Sequence, residues 1–127
     1  MIVIDTSIWV DHFRAADTHM TDLLDGELVL MHPWIVGELA CGNLSTRLVT
    51  LSSLRKLPQV PVAHEDEVLF MIEQHKFMGR GIGYIDMHLL ASARLNGANL
   101  WSRDKRLMRA AMDLQVAHTL PGFGLPS

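Results

Sequence analysis

The sequence predicts an α/β fold: a central, mostly parallel sheet of about four to five strands with helices on both faces, three layers in all. Three observations carry that expectation. Apolar runs such as IVI at 2–4 and LVLM at 28–31 are short, rich in β-branched residues and free of polar alternation, as strands buried on both faces are. Between such runs lie segments with apolar spacing near 3.6, and the two kinds alternate along the chain. Finally, 127 residues with 49% apolar content suffice for one core, so residues 1–127 are expected to form a single domain.

In chain order, the strand at 2–4 is bounded by Asp5, and Thr6 or Ser7 caps a helix reaching about Phe13. Thr21 to Asp25 continues as helix until Gly26. After LVLM, Pro33 stands where a proline opens a helix, and WIVGELACG follows it. STRLVTLSSLRKL at 45–57 has helical spacing and stops at Pro58, while VPV at 60–62 is a weak extended piece. HEDEVLFMIEQHKFM at 64–78 is an amphipathic helix with acids in its first turn, where the helix dipole favours them. The loop GRGIG at 79–83 leads to the helix YIDMHLLASARLNG at 84–97, closed by Gly97. ANLWS at 98–102 is a strand, RDKRLMRAAMDL at 103–114 the last helix and QVAH at 115–118 a candidate last strand.

Composition narrows the function classes. No apolar run approaches the roughly 20 residues that span a bilayer, and the N-terminus has no basic segment ahead of an apolar one, so a cytoplasmic protein without membrane contact is expected. The single cysteine, Cys41, excludes an internal disulfide and argues against a structural zinc site; it reads as a small core residue. The net charge of −3 is unevenly spread. Acids dominate residues 1–78, whereas residues 79–127 carry Arg80, Arg94, Arg103, Lys105, Arg106 and Arg109 against Asp86, Asp104 and Asp113.

Chemistry concentrates at the strand ends. In open α/β sheets, ligands bind beyond the carboxyl ends of the strands. Asp5 ends one strand and Ser102-Arg103-Asp104 another, Glu38 lies in the helix after 28–31, and Asp86 lies in the first turn of the helix after GRGIG. Four carboxylates gathered there cannot all ionise unpaired, so protons or metal ions must share the site. Oxygen ligands with no cysteine or histidine pair nearby suit Mg2+ or Mn2+, and metal-assisted phosphodiester hydrolysis follows as the expected reaction. Arg80, Arg103 and Lys105 are the candidates for phosphate contact.

The segments VIDTSIWVDHF, VGELACG, GIGYIDMHLLASA and WSRDKRL resemble the PIN-domain nucleases, and closely the VapC ribonuclease toxins of prokaryotic toxin–antitoxin pairs. The resemblance covers nearly the whole chain. It implies a PIN-like three-layer fold, with Asp5, Glu38, Asp86 and Asp104 as catalytic and metal-binding acids. Thr6, Ser7 and Ser102 would support them as hydroxyls that orient ligands or water. It also implies an endoribonuclease that uses Mg2+ or Mn2+ on RNA, a homodimer, and a cognate VapB-type antitoxin. One departure bears on a second metal position: where many PIN domains carry a further acid two residues past the fourth, Lys105-Arg106 follow Asp104, a pair suited to gripping phosphate instead.

Taken singly, each acid has an ordinary explanation. Asp5 could be a helix N-cap, Asp86 and Asp104 first-turn acids serving a helix dipole, and Glu38 a solvated helix residue. The alternative function is a catalytically inactive PIN-like module that binds RNA or protein. A dehalogenase-type phosphatase would need an acid where Ser7 stands, and a receiver-type phosphoacceptor has no use for Glu38. The seven histidines are scattered, and most read as surface or interface groups. Ile8, Trp9 and Phe13, with Leu51, Leu54 and Leu57, form the apolar landing surface expected for an antitoxin. GRGIG reads equally as a phosphate cradle or a plain loop.

Overall fold

The structure, a computed structural model, describes residues 1–120. Its sheet is wholly parallel: β1 (Ile2–Ile4) lies between β2 (Val29–Leu30) and β3 (Asn99–Trp101). Ile2 stands opposite Val29 on one side and Asn99 on the other, and Ile4 opposite Trp101. Every residue of β1 is buried, which is why its sequence shows no polar alternation.

Single bridges widen the sheet, Met31 pairing with Gln59 beyond β2 and Leu100 with Ala117 beyond β3. The expected four to five strands thus appear, among the described residues, as three strands with one bridge at either edge. Pro33 explains the weak outer piece at 58–60. Met31 N–H donates to Pro58 O at 2.8 Å and Val60 N–H to Met31 O at 2.9 Å, but the next rung would need an N–H at residue 33, where Pro33 has none and opens a helix.

Among the described residues, seven helices surround this sheet: α1 (Thr6–Arg14), α2 (Thr18–Asp25), α3 (Pro33–Ala40), α4 (Arg47–Lys56), α5 (Glu65–His75), α6 (Tyr84–Leu95) and α7 (Lys105–Asp113). Helix α6 lies against β1 and β3 and carries α5 and α7, while α1 packs on α3 and α3 on α4. Caps account for boundaries that differ from expectation. Asp5, not Thr6 or Ser7, is the N-cap of α1. Helix α2 starts three residues early because the Asp17 carboxylate accepts Met20 N–H at 3.0 Å. Helix α5 stops at His75, since Lys76 takes the left-handed conformation (φ 56°) and turns Phe77 into the core.

The core is aliphatic, with Ile4, Ile8, Met20, Leu89, Leu90, Leu100 and Leu107 fully enclosed. Each such side chain contributes about 1.5–3 kcal/mol by leaving water. Several expectations are corrected here. His32 and His88 are the exceptions to a surface reading that covered most of the histidines, being buried. His32 can sit there because its Nδ1 accepts Trp34 N–H at 3.1 Å and its Nε2 lies 3.3 Å from Ser92 Oγ, leaving neither nitrogen idle. His88 is packed between the Trp34 and Tyr84 rings. Cys41 is exposed at the end of α3. Ile8, Trp9 and Leu54 close onto the chain's own core and offer no landing surface; the exposed apolar residues nearby are Phe13, Leu48 and Val49.

Candidate active site

At the carboxyl end of β1, Asp5 is held from both sides. Its backbone N–H donates to Trp101 O at 2.9 Å, so the ladder to β3 fixes its position. One carboxylate oxygen accepts Thr6 N–H at 2.8 Å and the other accepts the Ser102 hydroxyl at 2.7 Å. Ser102, at the end of β3, in turn accepts Asp104 N–H at 3.0 Å. Asp104 caps α7, its Oδ1 accepting Arg106 N–H at 2.9 Å and Leu107 N–H at 3.1 Å. Asp5 and Asp104 therefore do serve as caps, and the same placement brings both carboxylates to one edge of the sheet.

Glu38 reaches that edge from α3. Its Oε1 accepts the Thr6 hydroxyl at 2.8 Å, a contact across 32 residues that fixes α3 against α1. Asp86 comes from the first turn of α6, half-buried. Its pKa is pushed up from 3.8 to about 6 by burial first, then by the charges of Asp5, Asp104 and Glu38. The four predicted acids thus share one electrostatic neighbourhood. Of the supporting hydroxyls, Thr6 and Ser102 bond to these acids, whereas Ser7 is exposed and has no hydrogen bond to them among the described residues.

Among the described residues neither ion pair involves any of the four: the two pairs are Arg80 with Asp113 at 3.0 Å and Arg103 with Asp11 at 2.8 Å. Among the described residues, the result is a concentration of negative charge with no ion-paired cationic side chain, built from oxygen donors. That donor chemistry fits a hard divalent cation such as Mg2+ or Mn2+. As placed, no three histidine, cysteine, aspartate or glutamate groups among the described residues close on a common point, so the carboxylates must draw together to share an ion.

Of the predicted phosphate contacts, Arg80 and Lys105 line one recess, together with Arg106 and Arg109. Arg103 does not line it and is engaged with Asp11 of α1. Arg109 is the lining residue that sequence reasoning missed; its i, i+3 spacing from Arg106 on an amphipathic helix is the signal that places the two on one face.

The chain matches the PIN domain family over residues 2–112. It is 44% identical over 118 residues to ribonuclease VapC32 of Mycobacterium tuberculosis, in strain CDC 1551 / Oshkosh and strain ATCC 25618 / H37Rv alike, covering 92% of this chain and 95% of that relative.

Proposed function

The chain belongs to the PIN-domain family, in its VapC-type ribonuclease branch, and from that premise we propose that it is an endoribonuclease toxin dependent on Mg2+ or Mn2+. The observation that carries the metal is the raised pKa of Asp86 among three further carboxylates with no ion-paired cationic side chain among the described residues. Asp5, Glu38, Asp86 and Asp104 would hold the cation, which when bound supplies Lewis acidity to activate a water and offset charge developing on the phosphate.

The chain's own residues do the positioning. Ser102, by donating to Asp5, fixes the orientation of that carboxylate. Thr6 does the same for Glu38, which would otherwise swing in solvent. Asp104 commits Oδ1 to the α7 backbone, so its direction is set by the helix. Arg80 and Lys105 receive phosphate oxygens of the RNA, and Arg103 joins them when it leaves Asp11. No histidine is needed. Cleavage of single-stranded RNA is expected to require Mg2+ or Mn2+ and to stop on adding EDTA; cleavage that persists in EDTA sinks the metal assignment. RNA binding without cleavage in either ion would instead favour the inactive binding module.

Control of such an enzyme follows from its acidic pocket. A VapB-type antitoxin would seat apolar residues on Phe13 and on the recess of about 510 Å³ that runs from Val10 past Glu38 to Thr46 and Thr50. An arginine from it would pair with Asp5 or Asp86. Co-expression with the protein of the neighbouring small reading frame is expected to yield a complex without ribonuclease activity, relieved by high Mg2+ or by an arginine-to-alanine change in that partner. A co-purified pair with full activity contradicts this account. A homodimer and a cytoplasmic location complete the reading; no helix among the described residues is long and apolar enough to cross a membrane.

A further inference from the structure

The loop 79–83 and α7 enclose a recess of about 370 Å³ lined by Arg80, Lys105, Arg106 and Arg109. Four cations facing one recess repel each other, so their placement must be imposed by other contacts. One is visibly held, and a second lies close against the loop. Arg80 Nη1 donates to Asp113 at 3.0 Å, and its guanidinium carbon stands 5.1 Å from the centre of the Phe77 ring. Arg106 lies on Gly81: a Cβ added there would come within 2.6 Å of Arg106 Nη1 and 3.2 Å of its Cδ and Cζ. Gly81 also has φ +76°, a conformation other residues rarely adopt. The turn therefore favours glycine at 81, and a side chain there would also push the exposed Arg106 guanidinium aside.

Compensation is incomplete. Among the described residues, Asp113 is the one carboxylate paired with any of these four cations, which leaves an excess of positive charge in the recess. None of Asp5, Glu38, Asp86 and Asp104 lines it. Yet the two sites are neighbours in the fold, because Asp104 caps the helix that supplies Lys105, Arg106 and Arg109, and Asp86 follows the loop that supplies Arg80 and Gly81.

We propose that this recess is a subsite for a non-scissile phosphate of the RNA strand, next to the phosphate at the carboxylates. This rests on the ribonuclease reading and adds a second anchor to it. Guanidinium groups suit the role because their planar fork grips phosphate oxygens in pairs, and three of the four residues are arginine. A strand held at both points is fixed in direction, so the recess sets which bond reaches the acids.

The test separates binding from cleavage. Affinity for a labelled single-stranded RNA is measured in EDTA across a salt series, for the parent protein and for Arg106→Ala/Arg109→Ala. The variant is expected to bind roughly tenfold more weakly. Its salt slope should fall by about 0.7, the contribution of one phosphate on a single strand. With Mn2+ present, hydrolysis of bis(p-nitrophenyl) phosphate, which has no second phosphate, should be unchanged while KM for RNA rises. Unaltered affinity and slope overturn the proposal. So does an equal loss on the small diester, which would put these cations at the scissile phosphate. Adenosine monophosphate binding lost in the variant while RNA affinity stands would assign the recess to a free nucleotide and overturn it too. If the parent protein hydrolyses neither substrate with metal, the ribonuclease reading fails, and the binding series still decides the subsite.

Discussion

Replacing Asp86 with asparagine is expected to abolish RNA cleavage and, without divalent cations, to make the protein more stable at neutral pH. The loss in cleavage follows from removing one of the four acids proposed to hold the ion; several kcal/mol of transition-state stabilisation correspond to roughly a thousandfold in rate. The gain in stability follows from the direction of the pKa shift. Folding raises the Asp86 pKa from 3.8 to about 6, so the folded state holds its proton more tightly than the unfolded chain does. Its contribution is most favourable below the unfolded value and declines as pH rises through 6. The full shift is worth about 3 kcal/mol, and partial solvent access reduces this to about 1–2 kcal/mol. Thermal unfolding in EDTA should show Asp86→Asn several degrees above the parent at pH 8, roughly 3–8 °C for a chain of this size, with the difference shrinking towards pH 4. Undiminished cleavage rejects the role of Asp86. A stability gain that is the same at pH 4 and pH 8 rejects carboxylate repulsion as its source.

Three of the four candidate acids stand at the boundary of an element, where a change in periodicity marks them, while Glu38 inside α3 is marked by its apolar neighbours Ile35, Val36, Leu39 and Ala40. Asp5 closes an apolar run, Asp86 follows a glycine-rich loop, and Asp104 precedes an amphipathic helix. What joins them was not legible. The Thr6–Glu38 bond spans 32 residues and the Ser102–Asp5 bond 97, and nothing local in the sequence requires either. Choosing between Thr6 and Ser7 likewise needed the rotation of α1, which turns one hydroxyl to Glu38 and leaves the other in solvent. The start of α2 depends on the Asp17 side chain accepting Met20 N–H, which adds the turn before Thr21. The tight contact of Arg106 with Gly81 depends on a positive φ that the string GRGIG allows without dictating.

His32 shows the opposite case, a residue whose importance the sequence hid because histidine is usually exposed. Replacing it with alanine is expected to destabilise the protein by about 3–5 kcal/mol. The ring is completely buried, so its removal leaves a cavity, and the N-cap of α3 goes with it. Because α3 carries Glu38, RNA cleavage should fall as well in any fraction that remains folded. His32→Asn keeps a capping acceptor and should recover about 1 kcal/mol of the loss. The pH dependence supplies the sharper signature. Burial first, and then the neighbouring His88, lowers the His32 pKa from 6.5 to about 4, so the folded protein resists protonating a ring that the unfolded chain protonates readily. That contribution is fully present above pH 6.5 and is lost as pH falls towards 4, by up to about 3 kcal/mol. It runs against the Asp86 effect over the same window, so the metal-free parent should show a shallow pH profile between 4 and 6.5. Asp86→Asn should expose the histidine slope, with stability falling on acidification. Asp86→Asn combined with His32→Asn should flatten it again. If the single Asp86 variant shows no acid-side loss, His32 is not the buried neutral base that its two contacts, to Trp34 N–H and Ser92 Oγ, describe.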